Sequence, residues 1–222
     1  RFGTVIGNGY VAGNINTKGE YRKYTAGLDC SAPVRAPGFA RMIRETDPDI
    51  AGLQECTKLM ADLLMLEFAQ MNAGYALLWG RDTPILYKTD KFELVDSAYL
   101  LYPEAVPGFE GEFNNLKTKS YCIAALRSKE NGKMLVFGTT HLWYMSSNPE
   151  AKSYRAGSDE ARAYQLGLFM DKAEEFGAKY NCPVILVGDM NAYLNSKAIK
   201  SAIERGYDHA YDLASEYRDE GH

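Results

Sequence analysis

No stretch of this 222-residue chain approaches the ~18 consecutive apolar positions of a membrane-spanning helix, so the sequence offers no span. A basic surplus is missing too. Twenty-five Lys and Arg stand against 29 Asp and Glu, a formal charge of -4, and no basic run exceeds a pair. Proteins that grip long nucleic acid through many phosphates carry a basic excess or stripe, so this balance disfavours a sequence-indifferent nuclease. Cysteine is scarce: Cys30, Cys56, Cys122 and Cys182 lie far apart, with no Cys-x-x-Cys pair. That spacing excludes a zinc-finger type site and leaves reduced, mostly buried thiols as the expectation. There is no Asn-x-Ser/Thr sequon to argue for secretion, and the compartment stays open between cytoplasm and export after leader removal. Repeats, low-complexity tracts and linkers are absent as well. With 46% hydrophobic and 24% charged residues, the chain reads as one soluble domain over residues 1–222. It opens on Arg1 instead of Met, with strand-like sequence at once, so it is expected to be a piece of something longer.

What is present alternates short apolar strands with amphipathic helices, the pattern of a mixed α and β fold. Residues 2–8 read as a strand, followed by a Gly- and Asn-rich loop to about Pro33. A helix is expected over 37–46, where Phe39, Met42 and Ile43 share a face and Pro48 forces the stop. Residues 49–54 form a short apolar strand that delivers Glu55, and 59–71 a second helix. Strands follow at 75–79, 85–88, 92–102, 120–127 and 134–140, the last two joined by the hairpin signal Asn131-Gly132. A long helix is expected over 158–176, with Asp159 and Glu160 in its first turn. The most hydrophobic strand, 183–187, runs into Gly188-Asp189-Met190-Asn191, and 197–205 reads as a last helix.

Three strand ends carry residues suited to chemistry, and strand ends are where sites collect in such folds. Glu55 is a single hard carboxylate at a fixed point, which suits magnesium, an ion that keeps most of its waters and takes one or two protein oxygens. Asp189 and Asn191 are alternate residues and would project together from an extended segment, pairing a base with a neutral hydrogen-bond donor. Gly188 would let a phosphate approach the backbone. His141, after Gly138-Thr139-Thr140, has the tunable protonation needed to donate to a phosphoryl oxygen. Taken singly each is ordinary: a solvated carboxylate, a Gly-Asp-x-Asn turn, a structural imidazole. His209 and His222 lie in weakly patterned sequence and receive no role.

Together and in order, these residues resemble one family. Asp47-Pro48-Asp49-Ile50-Ala51-Gly52-Leu53-Gln54-Glu55, then Thr140-His141-Leu142, then Gly188-Asp189-Met190-Asn191 are similar to the motifs of the endonuclease/exonuclease/phosphatase superfamily, over roughly residues 36–214. Arg162 and Gln165 also suit that family. The resemblance implies an α+β fold, a four-layer α/β/β/α sandwich of the deoxyribonuclease I type. It implies that Glu55 ligates Mg2+ (or Mn2+), that His141 contacts the scissile phosphate or protonates the leaving group, and that Asp189 and Asn191 polarise water and orient the phosphate. It also implies an Asn near the metal at the end of the first strand, which falls to Asn8, with Asn14 and Asn16 as lesser choices.

One departure stands out. Family members end on an Asp, a strand and a Ser-Asp-His triplet, and nothing after Asn191 matches these. The domain is therefore expected to lack its C-terminal strands here, residues 207–217 being polar and helical at best, and to continue further in the natural protein. The expected activity is metal-dependent hydrolysis of a phosphodiester or phosphomonoester by in-line attack of an activated water. The expected substrate is a small phosphoester or a short nucleic acid, and the expected state a monomer. Arg81-Asp82-Thr83-Pro84 is a candidate reach to the substrate phosphate, and Trp143, Tyr144 and Tyr193 could stack a ring. The rival is an inactive binding module with the same fold. A dinucleotide site at residues 4–13 is excluded, because the helix its phosphate loop requires is replaced by a turn at 14–19.

Overall fold

A computed structural model describes residues 31–215 of the chain; Asn8, Asn14, Asn16, Cys30, His222 and the strand expected over 2–8 lie outside them. Helix α1 (Ala32–Thr46) begins ahead of Pro37, at Ala32. Pro33 sits in the first turn, where a missing N–H is no loss, and Pro37 is carried inside the helix. Ala32, Ala36, Ala40 and Ile43 form its buried stripe. The helix stops on Asp47, a left-handed cap whose N–H donates to the Ile43 carbonyl at 2.9 Å, and Pro48 bars any continuation. Helix α2 (Lys58–Gln70) starts where Thr57 Oγ1 accepts from Met60 N, and it buries Met60, Ala61, Leu64 and Phe68.

These two helices cover one face of a three-stranded antiparallel sheet of β1 (Ile50–Gly52), β2 (Tyr75–Leu78) and β3 (Ile85–Lys88), in the order β1-β3-β2. Their apolar faces form one cluster with Tyr75 and Leu86. The second sheet runs β4 (Phe92–Leu101), β5 (Ser120–Ser128), β6 (Met134–His141), β7 (Val184–Asp189) in sequence order. Pairing is antiparallel through β6, as the Asn131-Gly132 hairpin implies, and β7 joins parallel to β6. That parallel pair needs a long crossover, and helix α3 (Ser158–Tyr180) supplies it.

Strand β5 shows the layering. Cys122, Ala124 and Leu126 join Ile85 of the first sheet, while Tyr121, Ile123 and Ala125 join Leu166, Phe169 and Met170 of α3. Alternate side chains of one strand thus enter two cores, and β5 is buried from Ser120 to Leu126. Helices α4 (Lys197–Glu204) and α5 (Ala210–Leu213) follow β7; α4 is held on α3 by Lys197 with Glu160 and by Arg205 with Asp171. Helices, sheet, sheet, helices is the expected four-layer sandwich. Among the described residues, β7 pairs with β6 alone, and its Ile185 is half exposed.

Candidate active site

The parallel register of β6 and β7 sets two of the candidate residues side by side. It pairs Thr139 with Val187, Thr140 with Gly188, and His141 with Asp189, so the last residues of two strands end side by side. Gly188 is required there. It has φ +148°, and a Cβ would lie 2.2 Å from the Thr140 carbonyl oxygen. The close approach expected of this glycine is thus made by the neighbouring backbone. The first sheet arrives at the same edge through Gly52, where a Cβ would meet Thr139 Oγ1 and Val187 within 3 Å. Gln54 Nε2 locks that contact by donating to Thr139 Oγ1 at 2.8 Å.

His141 is 2% exposed and is the hub of a charged cluster. Its Nδ1 lies 2.8 Å from Asp82 Oδ2, and its Nε2 lies 3.7 Å from Asp189 Oδ2 and 2.5 Å from Lys119 Nζ. The Asp82 carboxylate only accepts, so Nδ1–H donates to it, which leaves Nε2 as the nitrogen able to accept. The tautomer is fixed by its neighbours. Asp82 reaches this position from a tight turn between β2 and β3. The Gly80 carbonyl accepts from Thr83 Oγ1 at 3.0 Å and from Ser120 Oγ at 3.2 Å, both buried hydroxyls. The Asp82 carbonyl accepts from Cys56 N at 3.3 Å, which sets Glu55 next to this turn.

Glu55 has φ 55°, and its Oε2 is shielded from solvent. Arg81 has φ 65° and Asn191 φ 47°. A left-handed conformation costs an ordinary residue about 1–2 kcal/mol, Asn less, and Glu55 and Arg81 both carry it. Strain of this kind persists where surrounding structure over-determines it. Asn191 does not continue an extended segment beside Asp189, as its spacing implies. Instead its N–H donates to Asp189 Oδ1 at 3.0 Å in a side-chain turn, and its Nδ2 donates to the Leu142 carbonyl at 2.9 Å. The amide therefore ties the loop after β7 to the one after β6 and holds Asp189 at the site.

Arg162 and Gln165 of α3 are buried supports. Arg162 donates to the Met145 carbonyl at 2.7 Å, and Gln165 accepts from Trp143 N at 2.8 Å while donating to the Phe113 carbonyl at 3.1 Å. Both fix the loop that follows His141. The adjoining cleft, about 990 Å³, is lined by Tyr144, Arg162, Asp189, Asn191 and Tyr193. Tyr144 and Tyr193 stand open to solvent on its wall. Cys56, next to Glu55, is no nucleophile: burial, with the Asp82 charge, pushes its thiol up to about 12. Cys56, Cys122 and Cys182 are all free thiols.

The structure thus brings His141, Asp189 and Asn191 together, with Glu55 on the adjoining strand end. Asn8 lies outside the described residues. Two participants were not singled out from the sequence. Asp82 was grouped with Arg81 as a reach toward substrate, yet it pairs with His141, while Arg81 Nε lies 3.4 Å from the Lys117 carbonyl. Lys119 drew no attention; the one available signal was a lysine set directly before the apolar strand β5.

A family model described as "Endonuclease/Exonuclease/phosphatase family" matches residues 14–219. The chain belongs to this family. Solved structures agree on the fold. A family member from Bacteroides thetaiotaomicron is 24% identical, with a TM-score of 0.61 over 79% of this chain and 62% of its own. The mannosyl-6-phosphatase of the same organism is 24% identical, with a TM-score of 0.58 over 79% and 63%. The human Nocturnin catalytic domain, solved with bound sulfate, is 17% identical, with a TM-score of 0.54 over 75% and 60%. The chain therefore spans less than two thirds of the length of these proteins. No curated protein sequence matches it. Family enzymes generally use divalent metal ions. Among the described residues no group of three or more His, Cys, Asp and Glu could hold a metal, which does not fit a zinc cage. One rigidly held carboxylate with a shielded oxygen, Glu55, fits a hard cation that keeps its waters.

Proposed function

We propose that this family member is a magnesium-dependent phosphoesterase, hydrolysing a small phosphoester or a short nucleic acid by in-line attack of water. The observation that carries the reading is the imidazole of His141 set between Asp82 and Asp189 on register-paired strand ends, beside Glu55. Asp82 fixes the ring so that Nε2 faces the reaction, the same division of labour by which a buried carboxylate orients a catalytic imidazole elsewhere. Nε2 is then the atom that takes up the proton of the attacking water, while the departing oxygen on the opposite side of the phosphorus takes its own from solvent. Asp189, held by the Asn191 turn, orients the attacking water. Glu55 would hold magnesium, which when bound polarises a phosphoryl oxygen and offsets charge on the leaving group. Tyr144 and Tyr193 on the cleft wall offer ring faces to the organic part of a substrate.

Magnesium suits the single hard carboxylate, and manganese suits the same oxygen set. An inactive binder with this fold would have no use for an imidazole whose tautomer is fixed by a buried carboxylate. A substrate panel tests the proposal: inositol phosphates, sugar phosphates, nucleotides, short RNA and DNA, and sphingomyelin, each with magnesium and with chelator. Turnover that needs the metal is expected for at least one class. Binding of a phosphoester without turnover, at any metal concentration, would favour the inactive module.

A further inference from the structure

Lys119 is a charged group at the site to which the hydrolytic reading gives no task. It is 6% exposed, with Nζ 2.5 Å from His141 Nε2, 3.2 Å from His141 Nδ1 and 5.5 Å from the centre of the Tyr144 ring. Its backbone is clamped: Lys119 N donates to Asn114 Oδ1 at 2.9 Å, and its carbonyl accepts from Asn114 Nδ2 at 2.9 Å and from Tyr102 N at 2.9 Å. Asn114 is itself buried at 1% exposure, its amide given to this segment and to the Tyr102 carbonyl. A buried cation thus lies against the imidazole that handles the proton, on a backbone held by Asn114.

Any phosphoryl oxygen within hydrogen-bond reach of His141 Nε2, about 2.8 Å away, lies within about 5 Å of Lys119 Nζ. The four-carbon stem of a lysine closes that gap. We propose that Lys119 is a phosphate-binding residue, and that it makes the site prefer phosphomonoesters to phosphodiesters; the inference rests on the hydrolytic reading of the same site. A monoester phosphate carries close to two negative charges and three free oxygens, whereas a diester offers one charge and two. An extra ammonium therefore gains more from the monoester.

Lys119→Met keeps the length of the side chain and removes its charge, and Lys119→Arg keeps the charge. Binding of inorganic phosphate, measured by calorimetry without metal, should weaken about 10- to 100-fold in Lys119→Met and recover in Lys119→Arg. Catalytic efficiency should fall similarly on p-nitrophenyl phosphate and by at least about threefold less on bis(p-nitrophenyl) phosphate. In the wild type, phosphate should move the Nε2 nitrogen resonance of His141 while Nδ1 stays on Asp82, a reading that needs no variant. Phosphate affinity unchanged in a folded Lys119→Met, or a His141 resonance indifferent to saturating phosphate, would overturn the assignment. If wild type cleaves neither ester yet binds phosphate through Lys119, the anion site stands and the hydrolytic reading falls. If Lys119→Met loses both esters equally, hydrolysis stands and the selectivity falls.

Discussion

Replacing Asp82 by Asn tests the site at its hub. The two side chains have nearly the same shape, so the turn pinned by Thr83 and Ser120 should survive. What changes is the proton on His141. The carboxylate of Asp82, 12% exposed and 2.8 Å from Nδ1, can only accept, so it keeps the proton on Nδ1. An Asn amide can donate to Nδ1 and push the proton to Nε2, where it would confront the Lys119 ammonium. Charge-assisted hydrogen bonds in dry surroundings are worth about 1.5–3 kcal/mol, and part of that is recovered by the amide. A stability loss of about 1–2 kcal/mol is expected, which for a domain of this size lowers Tm by roughly 3–8 °C. Turnover should suffer far more, by about 10²–10⁴-fold, because the nitrogen that must accept a proton is already protonated. Three measurements are needed: thermal unfolding, magnesium-supported hydrolysis, and nitrogen NMR of the imidazole with His209 and His222 replaced. A wild-type His141 protonated on Nε2 would refute the tautomer, and Asp82→Asn turnover within about threefold of wild type would refute its importance.

Three further outcomes are expected. Glu55→Gln keeps the shape of the carboxylate and removes its charge, so calorimetry should show magnesium binding weakened at least about tenfold; unchanged affinity would move the metal elsewhere. Gly188→Ala places a methyl group 2.2 Å from the Thr140 carbonyl, so β6 and β7 must part at the site. A loss of about 1–3 kcal/mol in denaturant unfolding and a large fall in turnover are expected, and a variant as stable as wild type would show that the strand ends are not closely packed. On the far side of the second sheet, hydrogen bonds from Lys179 and then Tyr180 hold the Asp96 carboxyl down at about 2. A depressed acid contributes stability above its unfolded value, about 4, and loses it as pH falls through its folded value. The Tm difference between wild type and Asp96→Asn should therefore be full at pH 6 and vanish between about pH 4 and 2; a difference constant across that window would exclude the ion pair as its source.

Much of the fold was readable because its signals are local. The Asn131-Gly132 turn fixes the β5–β6 hairpin, the Leu- and Met-rich run fixes α2, and the apolar run before Gly188 fixes β7. The start of α1 was not readable. Two prolines signal a loop, but Pro33 falls where helices accept proline and Pro37 rides inside, on a helix whose buried stripe is mostly alanine. Strands β6 and β7 run past the ends expected from their apolar residues, and His141 and Asp189 belong to the strands themselves. That difference matters, because only as members of a parallel ladder are they held side by side.

The site divides the same way. Glu55, His141, Asp189 and Asn191 could be named as candidates from short motifs at strand ends, but the partners that surround them could not. Asp82 is separated from His141 by 59 residues of sequence, and a carboxylate inside Gly-Arg-Asp-Thr-Pro reads as a turn former. Burial of Lys119 depends on Asn114 and Tyr144, which no local pattern connects to it. Backbone strain is the least readable property of all. Glu and Arg avoid the left-handed region, so nothing in the names of residues 55 and 81 predicts φ of 55° and 65°. They hold those angles because Gln54 is bonded across to Thr139, and because Thr83 and Ser120 grip the turn around Arg81 and Asp82. Those grips come from both sheets. The active geometry therefore depends on the packing between the sheets, and a substitution that loosens the Gly52–Thr139 contact should disturb Glu55 without touching it.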